Sequence, residues 1–426
     1  MGPARWAALA MISLGQVSRV WPGEAPQAPG EETRCGSNER WDASMSMCMP
    51  APGAKVSGTV LAGQFNAFGV FSALQGPRGV DQFAAPNWFM FEAGRNVGQR
   101  QFVNIDFMGT TELWTYPRHG YPELLQVGEE RGDGSPYIDA QHPHSSPIMG
   151  LTLSDTMGLA DDRSLKLSFA PRGESTDGPV AYVHRAAARD MPDAPLGHHV
   201  GQDAGHISST VLAAQLSVKA WIIEASAYNG DEPEPTHVNL PLGPLNSGAL
   251  RLIYAITPSH RVMGSAAEVK QMDPAFPGMT SATRLSASLY DRFPLSGAWT
   301  VDHDFVVGSI SWHPAGATLT SFLDEVTATS GQSDIWGRLE IVQRLGSELA
   351  LPDTPAMVAS QDKRWVSALT VGYTYWAARS HGLELGIGTS LTADAIPAAW
   401  ANAYGSQVPL TGRIIIQVRG AGNWRH

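Results

Sequence analysis

Seven histidines fall in the first half of this 426-residue chain, at His119, His142, His144, His184, His198, His199 and His206, with Asp203 among the last three. Imidazole nitrogen is a ligand for zinc, copper, nickel and iron, and three or four such groups drawn from separate segments make a site. His142 and His144 share one face of an extended chain and can address one ion. His198 and His199, being adjacent, point apart if extended. The candidate metal ligands are therefore His142, His144, His184, His198, His199, Asp203 and His206, with copper or zinc as the ion. A second reading keeps the same residues as hydrogen-bonding fasteners of loops, without metal. A further candidate is Met45-Ser46-Met47-Cys48-Met49, whose thioethers and thiol suit soft Cu(I). The two cysteines, Cys35 and Cys48, are expected to pair in an exported protein and close a loop around Trp41, which would withdraw the thiol.

Other chemistry finds little support. Ser145 or Ser146 with His144 and Asp203 offers the atoms of a hydrolytic triad, but no Gly-x-Ser-x-Gly elbow accompanies them. His-Glu-x-x-His, a phosphate-cradling loop and Gly-x-Gly-x-x-Gly between strand and helix are all missing, so no catalytic residue is assigned. The formal charge of -11, from 29 basic and 40 acidic residues, argues against nucleic acid and favours cationic solutes.

The elements that must hold these residues read as strands. Charged residues are 16% of the chain, and glycine (44) and proline (30) are abundant. From Val56 to Arg419 the pattern alternates with period two between turn-rich clusters. Ile414, Ile416 and Val418 share one face while Arg413, Gln417 and Arg419 punctuate the other; Leu285, Ala287 and Leu289 oppose Arg284, Ser286, Ser288 and Arg292. Segments of about 9 to 13 residues match a tilted crossing of the hydrocarbon layer. Trp299, Trp312, Trp336, Trp365, Tyr375 and Trp376 stand near segment ends, where an interfacial aromatic girdle belongs. The expectation is an all-β chain forming a closed antiparallel transmembrane barrel of about 12 to 16 strands, with apolar side chains facing outer-membrane lipid. Glu224, Arg251, Arg284, Arg292, Arg338, Glu340, Arg344 and Arg413 then line the lumen, either as a field that orients solutes or as wall charges paired with acidic neighbours. Residues 112–147 and 171–206, long and rich in His and Pro, break the alternation and read as functional loops. Residues 1–21 have the shape of a secretory signal, 22–55 read as a flexible Met- and Pro-rich lead-in, 56–419 as the barrel and 420–426 as a tail.

Several pieces carry a family resemblance. Gln141-His142-Pro143-His144, Val183-His184-Arg185, the run from Met191 through His198-His199, Asp203-Ala204-Gly205-His206-Ile207 and the run Ile223 to Gly230 resemble a group of bacterial proteins of outer-membrane barrel type. That family is marked by QHPH and HHxxxDxxHI-type motifs and is associated with metal (copper) resistance loci. The resemblance implies location in the outer membrane of a Gram-negative bacterium and brings no activity of its own. Ser145 stands where the family pattern has an acidic residue, which puts a carboxylate-dependent site in doubt, and the chain ends in Gly-Asn-Trp-Arg-His426 without a terminal aromatic. The functional expectation is a porin-like barrel for passage or handling of small solutes or metal ions. Its rivals are a plugged structural or partner-binding barrel, and an exported metal-dependent enzyme on a soluble β scaffold.

Overall fold

The computed structural model describes residues 39–42, 47–50 and 59–425, apart from 132, 145–146, 161, 232, 234–236, 241, 271–278, 315, 352–362 and 381; for 39–42, 47–50, 130 and 423–425 it gives backbone only. The expected signal segment, Cys35 and the Cys35–Cys48 disulfide, the Met45 to Met49 ligand set as side chains, and Ser145 and Ser146 lie outside the described residues. In the expected lead-in, β1 (Glu39–Asp42) and β2 (Met47–Pro50) form a two-stranded sheet.

Sixteen strands close an antiparallel barrel. They are β3 (Thr59–Leu74), β5 (Asn87–Asn96), β6 (Gln101–Gly109), β9 (Ile148–Ala160), β10 (Arg163–Gly173), β11 (Ser208–Val218), β12 (Trp221–Asn229) and β13 (Ser247–Thr257). The circuit continues through β14 (His260–Val269), β15 (Ser281–Pro294), β16 (Thr300–His313), β17 (Thr318–Ser330), β18 (Ser333–Leu345), β19 (Lys363–Ser380), β20 (Leu383–Ala395) and β21 (Leu410–Arg425). A short strand, β4 (Gln82–Ala84), pairs along β3. Closure comes from β21 against β3, with Arg413 opposite Ser72 and Arg425 opposite Val60. The last strand thus corrects one boundary: residues 420–425, expected as a tail, complete the seam because β3 extends far enough to pair with them.

Alternation decides which side each residue meets. On β21, Ile414 and Ile416 are exposed on the outer face while Arg413 and Gln417 are buried inside. Leu250, Leu285, Leu369 and Ile387 are likewise outward and exposed. A continuous apolar exterior of this kind is costly in water and matched to acyl chains. The aromatic expectation holds only in part. Trp365 and Tyr375 face outward, but Trp312, Trp336 and Trp376 are buried. Tyr375 and Trp376 are neighbours on one strand, so a period of two sends them to opposite faces.

A barrel of this strand number encloses a bore wider than wall side chains can fill. Here two segments fold into it. Residues 110–147 include a helical turn, Glu112–Thr115, and an inner two-stranded sheet of β7 (Tyr121–Glu130) and β8 (Pro136–Gln141). Residues 174–207 are almost wholly buried irregular chain with short helical turns. Leu124, Leu125, Leu196 and Val200 of these inserts pack against Ile310, Leu319, Val342 and Leu345 of the wall, so the apolar core lies inside the bore. The hydrogen bonds run from wall to wall: the Thr176 hydroxyl donates to Ala249 O on β13 (3.1 Å), Gly178 N to the Ser265 hydroxyl on β14 (2.8 Å), and Thr327 on β17 to Ala187 O (2.6 Å). Asn66 on β3 donates to Arg189 O (3.0 Å).

A candidate metal centre in the lumen

The inserts bring five of the candidate histidines together. His142 and His144 follow β8, where Pro143 between them cannot donate a backbone bond and ends the inner sheet. His198 and His199 sit on a tight turn, His198–Gln202, that starts after Gly197 and breaks at Val200 and Gly201. Gly201 has φ +75°, and a Cβ there would come within 2.7 Å of Ser309 N on β16. Gly308 faces it, with a built Cβ 2.2 Å from Val200 O, so the turn is seated backbone to backbone on the wall. His206 ends the second insert.

Ring centroids lie 4.5 Å apart for His198 and His199, 4.7 Å for His198 and His206, 5.1 Å for His144 and His206, and 5.6 Å for His142 and His199. Two ligand sets result, with one atom per residue and all atoms within 4.8 Å of one another: His142, His198 and His199, and His198, Asp203 and His206. The extended-chain argument against His198 and His199 fails because the chain is turned there, which swings both rings to one side. His184 departs from the expected ligand group. Its short helical turn, Tyr182–His184, carries it to the wall, where it meets Trp88 edge-on at 5.5 Å. His119 is exposed in a turn and takes no part.

Each of three rings is oriented by its Nδ1 edge. His142 Nδ1 meets Pro143 O (3.1 Å), His206 Nδ1 meets Asp203 O (2.7 Å), and His144 Nδ1 meets Glu112 Oε2 (2.6 Å). A ring that donates from Nδ1 to a carbonyl or carboxylate keeps its Nε2 lone pair for a metal. Nε2 of His142 and of His206 has no hydrogen-bond partner among the described residues. Glu112 is itself held, accepting from His144 N (2.9 Å), Asn87 N (3.3 Å) and the Tyr116 hydroxyl (3.1 Å). Sequence reasoning missed Glu112. The only signal was the need for a carboxylate that Ser145 left unfilled; nothing local ties residue 112 to residue 144.

Burial holds His142 down to about 4, helped by the charge His144 would carry, and takes His206 to about 4 against the pull of Asp203. Burial and neighbouring histidines put His198 and His199 well below the ordinary range. His144 goes the other way: burial lowers it, but the charge and hydrogen bond of Glu112 and the charge of Asp203 outweigh this. At neutral pH four of the rings are therefore neutral donors.

The expected lumen residues all face inward, and the structure chooses between the two readings of them. Arg251 pairs with Glu224 (2.5 Å) and Glu174 (3.2 Å), Arg284 with Asp177 (3.0 Å), and Arg338 with Glu325 (2.9 Å). Glu340 accepts from Leu196 N, Arg344 donates to Leu125 O (3.1 Å) and to Leu196 O, and Arg413 lies 3.8 Å from Asp193. Arg292, at its strand end, is 3.7 Å from Asp302. Most of these charges are spent fastening the inserts rather than facing an open channel.

Two solved structures share the architecture. A loop L8 deletion mutant of OmpT, an outer membrane protein of Vibrio cholerae, aligns with TM-score 0.50 and 10% identity over 86% of this chain and 100% of its own. An anion-selective porin from Comamonas acidovorans aligns with TM-score 0.51 and 10% identity over 85% of this chain and 99% of its own. The fold is that of the outer-membrane β-barrels, and at this identity the likeness is one of fold alone. No family model and no curated protein matches the sequence.

Proposed function

We propose that this chain resides in the outer membrane of a Gram-negative bacterium as a porin-like barrel whose inserts hold a transition-metal ion, copper or zinc, in the lumen. One observation carries the reading: five buried or half-buried histidines from two separate inserts converge, with Nδ1 of three already engaged. Fasteners alone would not leave the Nε2 atoms of His142 and His206 without partners inside a protein, where an unmet polar atom is costly. The same inserts span the bore, which supports handling of a bound ion over free diffusion of solutes. In the reading that the chain is a sealed structural barrel, the histidines bind nothing.

The test is elemental analysis of detergent-purified protein against the His198→Ala/His206→Ala double variant, which breaks both ligand sets, with heat-modifiable electrophoretic mobility as the check that both barrels are closed. Copper or zinc near one equivalent in the wild type, lost in the variant, is the expected result. Equal metal content in both removes these residues as ligands and leaves the sealed barrel.

A further inference from the structure

Resting on the reading of a lumenal metal centre, we infer that one ion has two overlapping resting places, joined by His198 and occupied alternately, so that the centre hands the ion along rather than storing it. The argument begins with bond lengths. Zinc or copper binds nitrogen and oxygen at about 2.0–2.2 Å, so two ligands of one ion stand no more than about 4.4 Å apart. The set His142, His198, His199 and the set His198, Asp203, His206 each fall within 4.8 Å, so that side-chain shifts of about a few tenths of an ångström would close either around an ion, yet they do not merge into one group. An ion therefore chooses between them.

His198 is common to both. Its Nδ1 lies 3.4 Å from Asp203 Oδ2, and its ring is 4.5 Å from that of His199. The open Nε2 atoms fall one to each set: His142, itself more than nine-tenths buried, in the first and His206 in the second. Both sets are thus incomplete without an added ligand partner, and neither is a lone acidic cluster. Charge decides against filling both at once. Two dications repel four times as strongly as two unit charges at the same distance, and screening inside a protein is weak. The nearby carboxylates, Asp203 and Glu112, offset one dication. Arg185 and Arg284 lie close enough to act on Asp203 and on His198, but each is paired with a carboxylate of its own, Glu325 and Asp177, so no further charge is left to offset a second dication. Alternate occupancy also lets His198 serve both positions as an ordinary neutral ring, whereas simultaneous bridging would require its deprotonation.

The two positions differ in chemistry. The first offers three imidazoles, which suit copper in either oxidation state and zinc. The second includes a carboxylate, which favours the divalent ion.

The experiment is titration of metal-stripped full-length protein in detergent with Cu(II), reading stoichiometry and electron paramagnetic resonance. Wild type should bind one ion with a spectrum that mixes two environments. Asp203→Asn should still bind one ion and show the nitrogen-rich spectrum alone. His199→Ala should also bind one, with fewer nitrogen couplings, and His142→Gln should reproduce it should His199→Ala not fold. His198→Ala should lose at least tenfold in affinity. Two ions per wild-type chain, or complete loss of binding in Asp203→Asn, His199→Ala or His142→Gln, overturns alternate occupancy while leaving a lumenal metal centre. No ion in the wild type overturns both.

Discussion

His144 Nδ1 and Glu112 Oε2 stand 2.6 Å apart with both side chains 3% exposed, across thirty-two residues of intervening chain. This contact fixes the His144 ring, which stands 5.1 Å from the ring of His206 in the second candidate ligand set, and supplies a carboxylate where the sequence left one vacant at Ser145. Glu112→Gln keeps the shape of the contact and removes its charge. Zinc affinity, measured by competition with a chromogenic chelator, should fall by about 10–100-fold. An unchanged affinity would make the contact purely structural.

Proton linkage gives a second expectation, for the metal-stripped protein. His142 and His206 ionise near 6.5 when unfolded and at about 4 in place, so between those values the unfolded segment binds more protons. Insert stability should then be full above about pH 6.5 and decline as pH falls toward 4. His144 acts oppositely, its contribution being present below 6.5 and fading as pH rises through its elevated value. Amide exchange of residues 174–206 should accelerate on acidification, and His142→Gln with His206→Gln should flatten the slope. Exchange indifferent to pH in the wild type, after correction for the intrinsic rate, would contradict the buried neutral rings.

Arg185 and Glu325 form an ion pair at 2.9 Å with neither side chain exposed. Removing one member of such a pair costs about 3–5 kcal/mol because the other charge stays buried. Arg185→Ala should loosen the second insert and raise single-channel conductance in planar bilayers several-fold over a nearly silent wild type. A wild type that already conducts like an open porin would refute the filled bore.

Ile387 is exposed on the outer face and pairs across the sheet with Ile416. Arginine at the bilayer midplane of such a face costs about 2–4 kcal/mol. Ile387→Arg should lower the amount of folded protein in the detergent-extracted outer-membrane fraction, whereas Ile387→Leu, which keeps the outer face apolar, should not. Wild-type protein released without detergent would contradict the membrane setting.

The barrel was legible because period-two alternation survives in almost every wall strand: Arg413, Ile414, Ile416 and Gln417 announce their faces with no knowledge of their neighbours. Strand number fell at the upper end of the expected range. Trp336 and Trp376 were misplaced because position near a segment end was weighed above parity along the strand. The candidate metal centre was legible in residue type and hidden in geometry. His142 and His144 lie 6.2 Å apart ring to ring but share neither ligand set, and the approach of His198 to His199 depends on a turn that Gly197 and Gly201 permit. His184 depends on a short helical turn, and Glu112 on a long-range contact that no local spacing encodes. Insertion of the second loop into the bore likewise follows from buried wall partners such as Glu325 and Arg284, on strands far apart in sequence from the Arg185 and Asp177 they hold.

Gly201 and Gly308 meet where neither carries a side chain, and that meeting fixes how deep the His198–Gln202 turn descends. Alanine at either place would lift the turn off the wall and carry His198 and His199 away from their partners together. Two atoms' worth of empty space, contributed by positions with no chemistry of their own, thereby governs whether the imidazoles share a focus. In related chains, drift at these two positions should be as tightly policed as at the histidines themselves.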